Sequence, residues 1–278
     1  MREDGPFDRR LRRMRRERAA GRRGEADYLH RLAADDLVER LAFVRRDFAR
    51  ALDLGCGDSL LAAPLRARGI EIVSADPGLA FASAAAGVQC DEDRLPFADA
   101  SFDLVVSVGT LDSVNDLPGA LLLIRRVLKP DGLFLGAFAG AGSLPRLRSA
   151  MLAADAAQGG AQGGATPRIH PQIDVRAAGD LLARAGFVLP VADSHGIDIR
   201  FPNLPALVAD LRAMGATNLL AERARAPIGR AGLAAAIADF AAHADADGKT
   251  AEHIEMLHVA GWAPPPVGGA KSAFKSGE

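Results

Sequence analysis

The chain has 278 residues, room for one large domain or one domain with an appendage. Its net charge of −1, with 25% charged and 49% hydrophobic residues, fits an ordinary soluble globular chain and excludes a general electrostatic pull toward nucleic acid or acidic membrane. Cys56 and Cys90 are the only cysteines, which excludes a disulfide framework and a cysteine zinc spacing and predicts a reducing, cytoplasmic setting; no apolar run is long enough to span a bilayer.

Residues 1–24 are dominated by Arg9, Arg10, Arg12, Arg13, Arg15, Arg16, Arg18, Arg22 and Arg23. No apolar core follows the charges, so the segment does not read as a secretory signal. Glu3, Asp4, Asp8 and Glu17 count against an organellar transit peptide. Two readings stand: a basic arm for an acidic protein partner or an anionic membrane surface, or a solvated, partly frayed helix. Residues 27–49 then carry Leu29, Leu32, Ala33, Leu37, Leu41 and Val44 at helical spacing and predict an amphipathic helix. Tyr28, the only tyrosine, opens it and either lines a pocket or anchors the helix.

Residues 51–57 are the centre of the chain. Ala51 to Leu54 read as a buried strand holding one carboxylate, Asp53, and Gly55 and Gly57 break it. Asp58 and Ser59 are predicted as helix caps, ahead of a helix through Leu60, Leu61 and Leu65. Pro64 either kinks that helix or stands in the first turn of one that starts late, and Gly69 ends it. Strand, glycine turn and helix make the start of a nucleotide-binding βαβ unit. It is not a dinucleotide fingerprint, because Leu60 stands where Gly-x-Gly-x-x-Gly needs glycine, and Asp53 would repel a pyrophosphate but suit a cationic ligand.

The second strand, 70–76, ends in Asp76, at the distance from the glycine turn where an acid serves ribose hydroxyls in doubly wound folds; the other role for it is a cap on the helix from Leu79. A short third strand, 88–91, ends in Asp91. The fourth, 104–108, puts Ser107–Gly109 at the carboxyl edge, where open α/β sheets bind ligands. Asp116 caps the next helix, with Pro118 in its first turn, and Lys129-Pro130-Asp131-Gly132 is predicted to stop it before a fifth strand at 133–138. Gly159-Gly160 and Gly163-Gly164 mark a loop that is either a lid or a linker. A helix at 174–186, a sixth strand at 187–193, a short strand at 196–201 and helices within 203–247 lead to a last strand at 252–262, with a disordered tail from Ala263.

Several of these stretches, in this order, resemble the class I S-adenosylmethionine (SAM)-dependent methyltransferases: Asp53-x-Gly55-x-Gly57, Asp91 followed by Leu95-Pro96-Phe97 and Ser101-Phe102-Asp103, and Arg126-Val127-Leu128-Lys129-Pro130-Asp131-Gly132. The family's first motif has a third glycine where this chain has Ser59, which implies a slightly altered turn. The resemblance implies a Rossmann-like α/β fold: a seven-stranded, mostly parallel sheet with helices on both faces. It divides the chain into a basic arm and first helix (1–49), a SAM-binding core (50–201), a helical insert (202–250), the last strand (251–262) and a flexible tail (263–278).

It also implies SAM as cofactor, held by Asp53, Gly55, Cys56, Gly57, Asp76, Pro77, Asp91, Glu92 and Ser107. Asp91 takes the adenine amino group, Ser107–Gly109 face the sulfonium, and Asp103 is structural. The reaction implied is in-line attack of an acceptor on the SAM methyl group, helped by positioning and desolvation. No general base stands out, because His170, His195, His243, His253 and His258 are scattered singly, and no metal is expected.

Phe7-Asp8-Arg9, Asn115-Asp116-Leu117-Pro118, Leu147-Arg148, Met214-Gly215 with Asn218, and Gly261-Trp262 narrow the resemblance. They are similar to the methyltransferase-like assembly factors of respiratory complex I, a group whose activity is arginine hydroxylation and which is related to the malonyl-carrier-protein methyltransferases. A respiratory subunit or an acyl-carrier substrate is the partner this implies. Two departures fall on the expected substrate side: Asp112-Ser113 in place of His-Trp, and Thr166-Pro167-Arg168 in place of Ser-Pro-His.

Overall fold

Strands that are apolar on both faces must be covered on both faces, and that need sets the layers here. The structure, a computed structural model, describes residues 5–22, 24, 26–158 and 167–266. The glycine-rich loop at 159–164, Thr166, and the tail beyond 266 lie outside them. Two helices, α1 (Arg9–Ala20) and α2 (Tyr28–Ala42), precede the sheet. Then come β1 (Arg50–Leu54), α3 (Ala62–Ala67), β2 (Glu71–Asp76), α4 (Leu79–Ala84), β3 (Val88–Gln89), β4 (Phe102–Val108), α5 (Leu117–Val127) and β5 (Leu128–Ala139). The chain continues through α6 (Pro145–Ala157), α7 (Val175–Arg184), β6 (Val188–Phe201), α8 (Leu204–Ala213), α9 (Arg230–Ala241) and β7 (Thr250–Trp262).

The seven strands lie in the order β3-β2-β1-β4-β5-β7-β6. All pairs are parallel except those of β7, which runs antiparallel to both β5 and β6. This is the expected Rossmann-like sheet. Leu52, Leu54, Val105 and Phe134 pack on one face against α5 and α7, while Ala51, Leu104, Val106 and Leu133 pack on the other against α2 and α3. Strand β1 sits between β2 and β4, so the strand order reverses there and leaves a crevice beyond its carboxyl end. A third core under the end of β6 joins Leu147 and Ala154 of α6, Leu207 and Leu211 of α8, and Phe240 of α9, which is where the helical insert docks. Among the described residues no helix is long and apolar enough to cross a membrane.

Three local expectations change, and one left open is decided. Asp58 and Ser59 do not cap a helix: α3 starts at Ala62 with no side-chain cap, and Pro64 falls in its first turn. The sixth strand and the short strand after it are one element, β6, because β7 is long enough to pair with it from Trp262 to Thr250, with a register shift near Val191. The Lys129–Gly132 turn does not separate α5 from β5; the strand begins at Leu128 and absorbs the turn as an irregularity opposite Phe102 and Leu104, with Asp131 at φ 59°. Tyr28 anchors rather than lines a pocket, since its hydroxyl donates to Asp210 of α8 at 2.8 Å. Asp103 is structural as expected: it accepts from Lys129 at 3.0 Å and from the Arg50 N–H at 3.0 Å.

Candidate functional site

The turn after β1 requires its glycines. Gly55 has φ 75°, donates to the Ala75 carbonyl at 2.7 Å, and a Cβ on it would lie 2.3 Å from Thr110. Gly57 has φ 47° and donates to Asp76 at 3.0 Å. Ser59 takes φ 56°, the left-handed conformation that the family's third glycine would adopt freely. Beneath the turn Asp53 is 2% exposed, and its Oδ2 has no hydrogen-bond partner. Burial, with the charge of Asp76 nearby, pushes its carboxyl up to about 7. Cys56 is buried beside the same carboxylates; burial first, and then the charges of Asp53 and Asp76, raise its thiol pKa and leave it unreactive.

Asp76 accepts the N–H groups of Gly57 and Gly78, the latter at 2.7 Å, so it pins both the glycine turn and the entry to α4. Pro77 follows it, and the Pro77 carbonyl accepts from Gln89 at 3.0 Å. Asp91 is buried with Oδ1 unpartnered. Glu92 is fully buried and fully committed, to Arg12 at 2.6 and 2.9 Å and to the Thr110 hydroxyl. Ser107 is buried with an unpartnered hydroxyl, but it lies on the face of β4 opposite Val106 and Val108 and lines neither of the cavities described below; Val108 lines both and Gly109 the larger.

The N-terminal arginines are neither a free arm nor a solvated helix, and both readings give way to the same cause. Four acids at one sheet edge, Asp76, Asp91, Glu92 and Asp93, have side chains that are buried or nearly so and need cations, and α1 supplies them. Arg16 binds Asp76 with two nitrogens, Nε at 2.7 Å, and lies over the Phe81 ring at 5.1 Å. Arg13 reaches Asp91 at 2.5 Å and Arg9 reaches Asp93 at 2.6 Å. Arg12 is 4% exposed; besides Glu92 it donates to the Thr110 hydroxyl at 2.7 Å and to Ser113 at 3.1 Å. Arg10, Arg18 and Arg22 remain exposed. Asp8 caps α1 through the Leu11 N–H at 2.9 Å, and Asn115 clamps Phe7 by accepting from its N–H at 2.7 Å and donating to its carbonyl at 3.0 Å. Phe7 also bridges Leu220 and packs on His170, so residues scattered along the sequence meet at the start of α1.

Two cavities adjoin. A narrow one of about 50 Å³ lies against Asp53, Gly55, Cys56 and Gly57. The other, about 600 Å³, opens beside it under α6, α8 and residues 214–219; its walls are mostly apolar, including Leu29, Leu144, Met151, Val208 and Met256. Asp112, Ser113 and Arg168, the departures from the family pattern, all line it. Arg168 is held by Asp155, and burial pushes the Asp112 carboxyl up to about 6 against the pull of Arg12.

His30 lines both cavities. It rests on Gly109 so closely that a Cβ there would lie 2.4 Å from its Nε2. Burial, reinforced by Arg16, lowers its pKa to about 4, so the imidazole is neutral. Sequence reasoning passed over this histidine, although it falls four residues before Ala34 and seven before Leu37, on the buried stripe of α2. His170 is also neutral, and it accepts the Leu219 N–H at 3.0 Å.

The expected cofactor can be tested against these groups. An unpartnered acid at the glycine turn, two further acids at the end of β2 and just beyond β3, and glycines that bring the backbone close all fit a cationic adenosyl ligand. Arg16 and Arg13 stand on two of those acids.

Comparison with known proteins agrees. A methyltransferase-domain family matches residues 52–136. The chain is 32% identical over 268 residues to the arginine-hydroxylase NDUFAF5, mitochondrial, of Danio rerio, covering 93% of this chain and 83% of that protein. It is 34% identical over 234 residues to a malonyl-[acyl-carrier protein] O-methyltransferase of Laribacter hongkongensis, covering 77% of this chain and 76% of that protein. The crystal structure of YcgJ from Bacillus subtilis superimposes with a TM-score of 0.58 at 15% identity, over 84% of this chain and 99% of that one.

Proposed function

We propose, from the premise that this chain belongs to the class I SAM-dependent methyltransferase family, that it transfers the methyl group of SAM to an acceptor lodged in the larger cavity. The observation that carries this reading is the shared wall: the cavity at the glycine turn and the apolar cavity meet at His30 and Val108. SAM, when bound, supplies an electrophilic methyl group. Asp53 and the Gly55–Gly57 backbone would hold its amino-acid portion, Asp76 its ribose, and Asp91 its adenine.

A carboxylate gripped by a guanidinium has few lone pairs left for hydroxyl groups. Arg16 therefore has to release Asp76 before the cofactor is fully held, whereas Asp91 keeps Oδ1 free while Arg13 holds Oδ2. Helix α1 acts as a gate over the site. The larger cavity excludes water and orients the acceptor through apolar contact, which favours an acceptor with an apolar portion. A neutral imidazole at the boundary can accept a hydrogen bond from an acceptor that carries a proton and so orient it, and His30 holds that place; its pKa of about 4 makes it a weak base.

The similarity to malonyl-[acyl-carrier protein] O-methyltransferases makes an acyl-carrier substrate the first acceptor to test. A second reading has its own support. The NDUFAF5 resemblance runs through almost the whole chain, and several of the positions that mark it, Phe7, Asn115 and Asn218 among them, gather around the start of α1. On that reading the chain modifies or binds a respiratory protein subunit. Two buried free cysteines support a cytoplasmic setting for either.

Incubation of the full chain with methyl-labelled SAM and a malonyl carrier protein, followed by mass spectrometry, tests the proposal. Label in the product supports it, and His30→Gln should slow transfer with SAM affinity unchanged if the acceptor carries a proton. A protein substrate that gains an oxygen instead of a methylene would establish the second reading.

A further inference from the structure

On the far flank of α2, away from both cavities, Asp36 of α2, His195 of β6 and His258 of β7 converge. One donor atom from each lies within 4.8 Å of the other two. Asp36 Oδ2 is 3.4 Å from His258 Nε2 and 3.8 Å from His195 Nε2. The two imidazoles stack with centroids 5.2 Å apart and planes 16° from parallel, so both Nε2 atoms face one carboxylate. His258 is 1% exposed, and neither of its ring nitrogens has a hydrogen-bond partner. Buried polar groups are normally satisfied, and one left over in a folded core needs an explanation.

We propose that Asp36, His195 and His258 bind one divalent transition-metal ion of the zinc class. Two imidazole nitrogens and one carboxylate suit such an ion, whereas calcium and magnesium prefer all-oxygen sites. Ligands about 2.0–2.1 Å from a tetrahedral ion stand roughly 3.3 Å apart. The Asp36–His258 gap already fits, the gap from Asp36 to His195, a half-exposed side chain, closes by about half an ångström, and the donor atoms of the two histidines, within 4.8 Å of each other, draw together as His195 turns. The third side is open: Asp36 and His195 line a surface hollow with Leu32 and Phe43, where a water completes the coordination.

Nearby charge is accounted for. Arg40 and Asp193 neutralise each other through two bonds of 2.6 Å, so neither competes for the ion or for its ligands. The contrast with His253 is informative, because that exposed ring is already satisfied by Asp198 at 2.7 Å and Glu255 at 3.2 Å. Strands β1 and β7 are three strand spacings apart, about 14 Å. The ion is therefore not part of the methyl-transfer site. It ties α2, the helix that carries His30, to the antiparallel edge of the sheet. Sequence spacing could not suggest it, since each ligand comes from a different part of the chain.

The test uses the untagged full chain, stripped of metal by chelation and titrated with Co²⁺, then with Zn²⁺ in competition. The expected result is one Co²⁺ per chain with visible d–d bands, displaced by Zn²⁺, and a higher thermal midpoint with Zn²⁺ bound. His195→Ala and Asp36→Asn, both at partly exposed positions where the fold tolerates change, should abolish the bands and weaken binding roughly tenfold or more. His253→Ala should leave both intact. Absence of stoichiometric binding, unchanged binding in His195→Ala and Asp36→Asn, or loss of binding in His253→Ala would each overturn the proposal.

Discussion

Around the glycine turn, the groups that form the floor of the site come from one continuous stretch, Asp53 to Asp91, and their places follow from successive strand ends along one edge. The larger cavity has no such stretch. Its walls come from α1, α2, β4, α6, residues 168–172, α8 and residues 214–219, brought together only by packing. The first region is polar and strained: an unpartnered acid, a serine in the left-handed region, and acids that need cations. The second is mostly apolar, although Leu144 on its wall also takes the left-handed conformation, at φ 60°. On the proposed function, chemistry that must be identical for every substrate of a family sits on rigid local geometry, while the part that would select an acceptor is assembled from distant segments. Helix α1 belongs to both regions, because Arg12 and Arg16 reach Glu92 and Asp76 and also line the larger cavity.

The sharpest way to break this comparison is to cut α1 loose. Arg12→Met leaves Glu92 buried without its cation, and such a loss costs about 3–5 kcal/mol. Urea unfolding of the full chain should show that loss; unchanged stability would mean that α1 is not anchored at Glu92. Next in size, Asp76→Asn should weaken SAM binding by about 1.5–3 kcal/mol, the range for hydrogen bonds to a charged group. Isothermal titration measures it, and unchanged affinity would remove Asp76 from the cofactor site.

A third test uses pH. The folded Asp53 carboxyl titrates near 7, above the usual carboxylate range, so the folded protein keeps a proton that the unfolded chain has already lost. Ionising it therefore costs stability as pH rises from about 4 to 7. A bound cation reverses that cost, so SAM affinity should rise about tenfold between pH 6 and pH 8, the span over which Asp53 ionises. Asp53→Asn should flatten the profile and stabilise the unliganded protein at neutral pH. A wild-type affinity independent of pH would place the ammonium elsewhere. The smallest effect is expected at Ser59, where glycine removes a left-handed penalty of about 1 kcal/mol. Ser59→Gly should raise the thermal midpoint; a lower one would mean that the serine hydroxyl does work in the turn.

The sequence by itself determined the sheet, the glycine turn and the acids beside it. Those features depend on strand periodicity and on residues a fixed distance apart, and both are local. The missing cap of α3 and the fused β6 escaped that reading in detail, because a long partner strand or an absent cap is not visible in the segment itself. Only the tertiary structure decided what the arginines of α1 do. Nine arginines in a short segment predict charge, but the buried acids that consume it lie 60 or more residues away in the chain, as Arg16 and Asp76 do. The same holds for His30, which meets Gly109 only when α2 packs on β4, and for Asp36, His195 and His258, which meet only because β6 and β7 pair edge to edge beneath α2. Charge and spacing are properties of the chain, whereas burial and partnership depend on the packed whole.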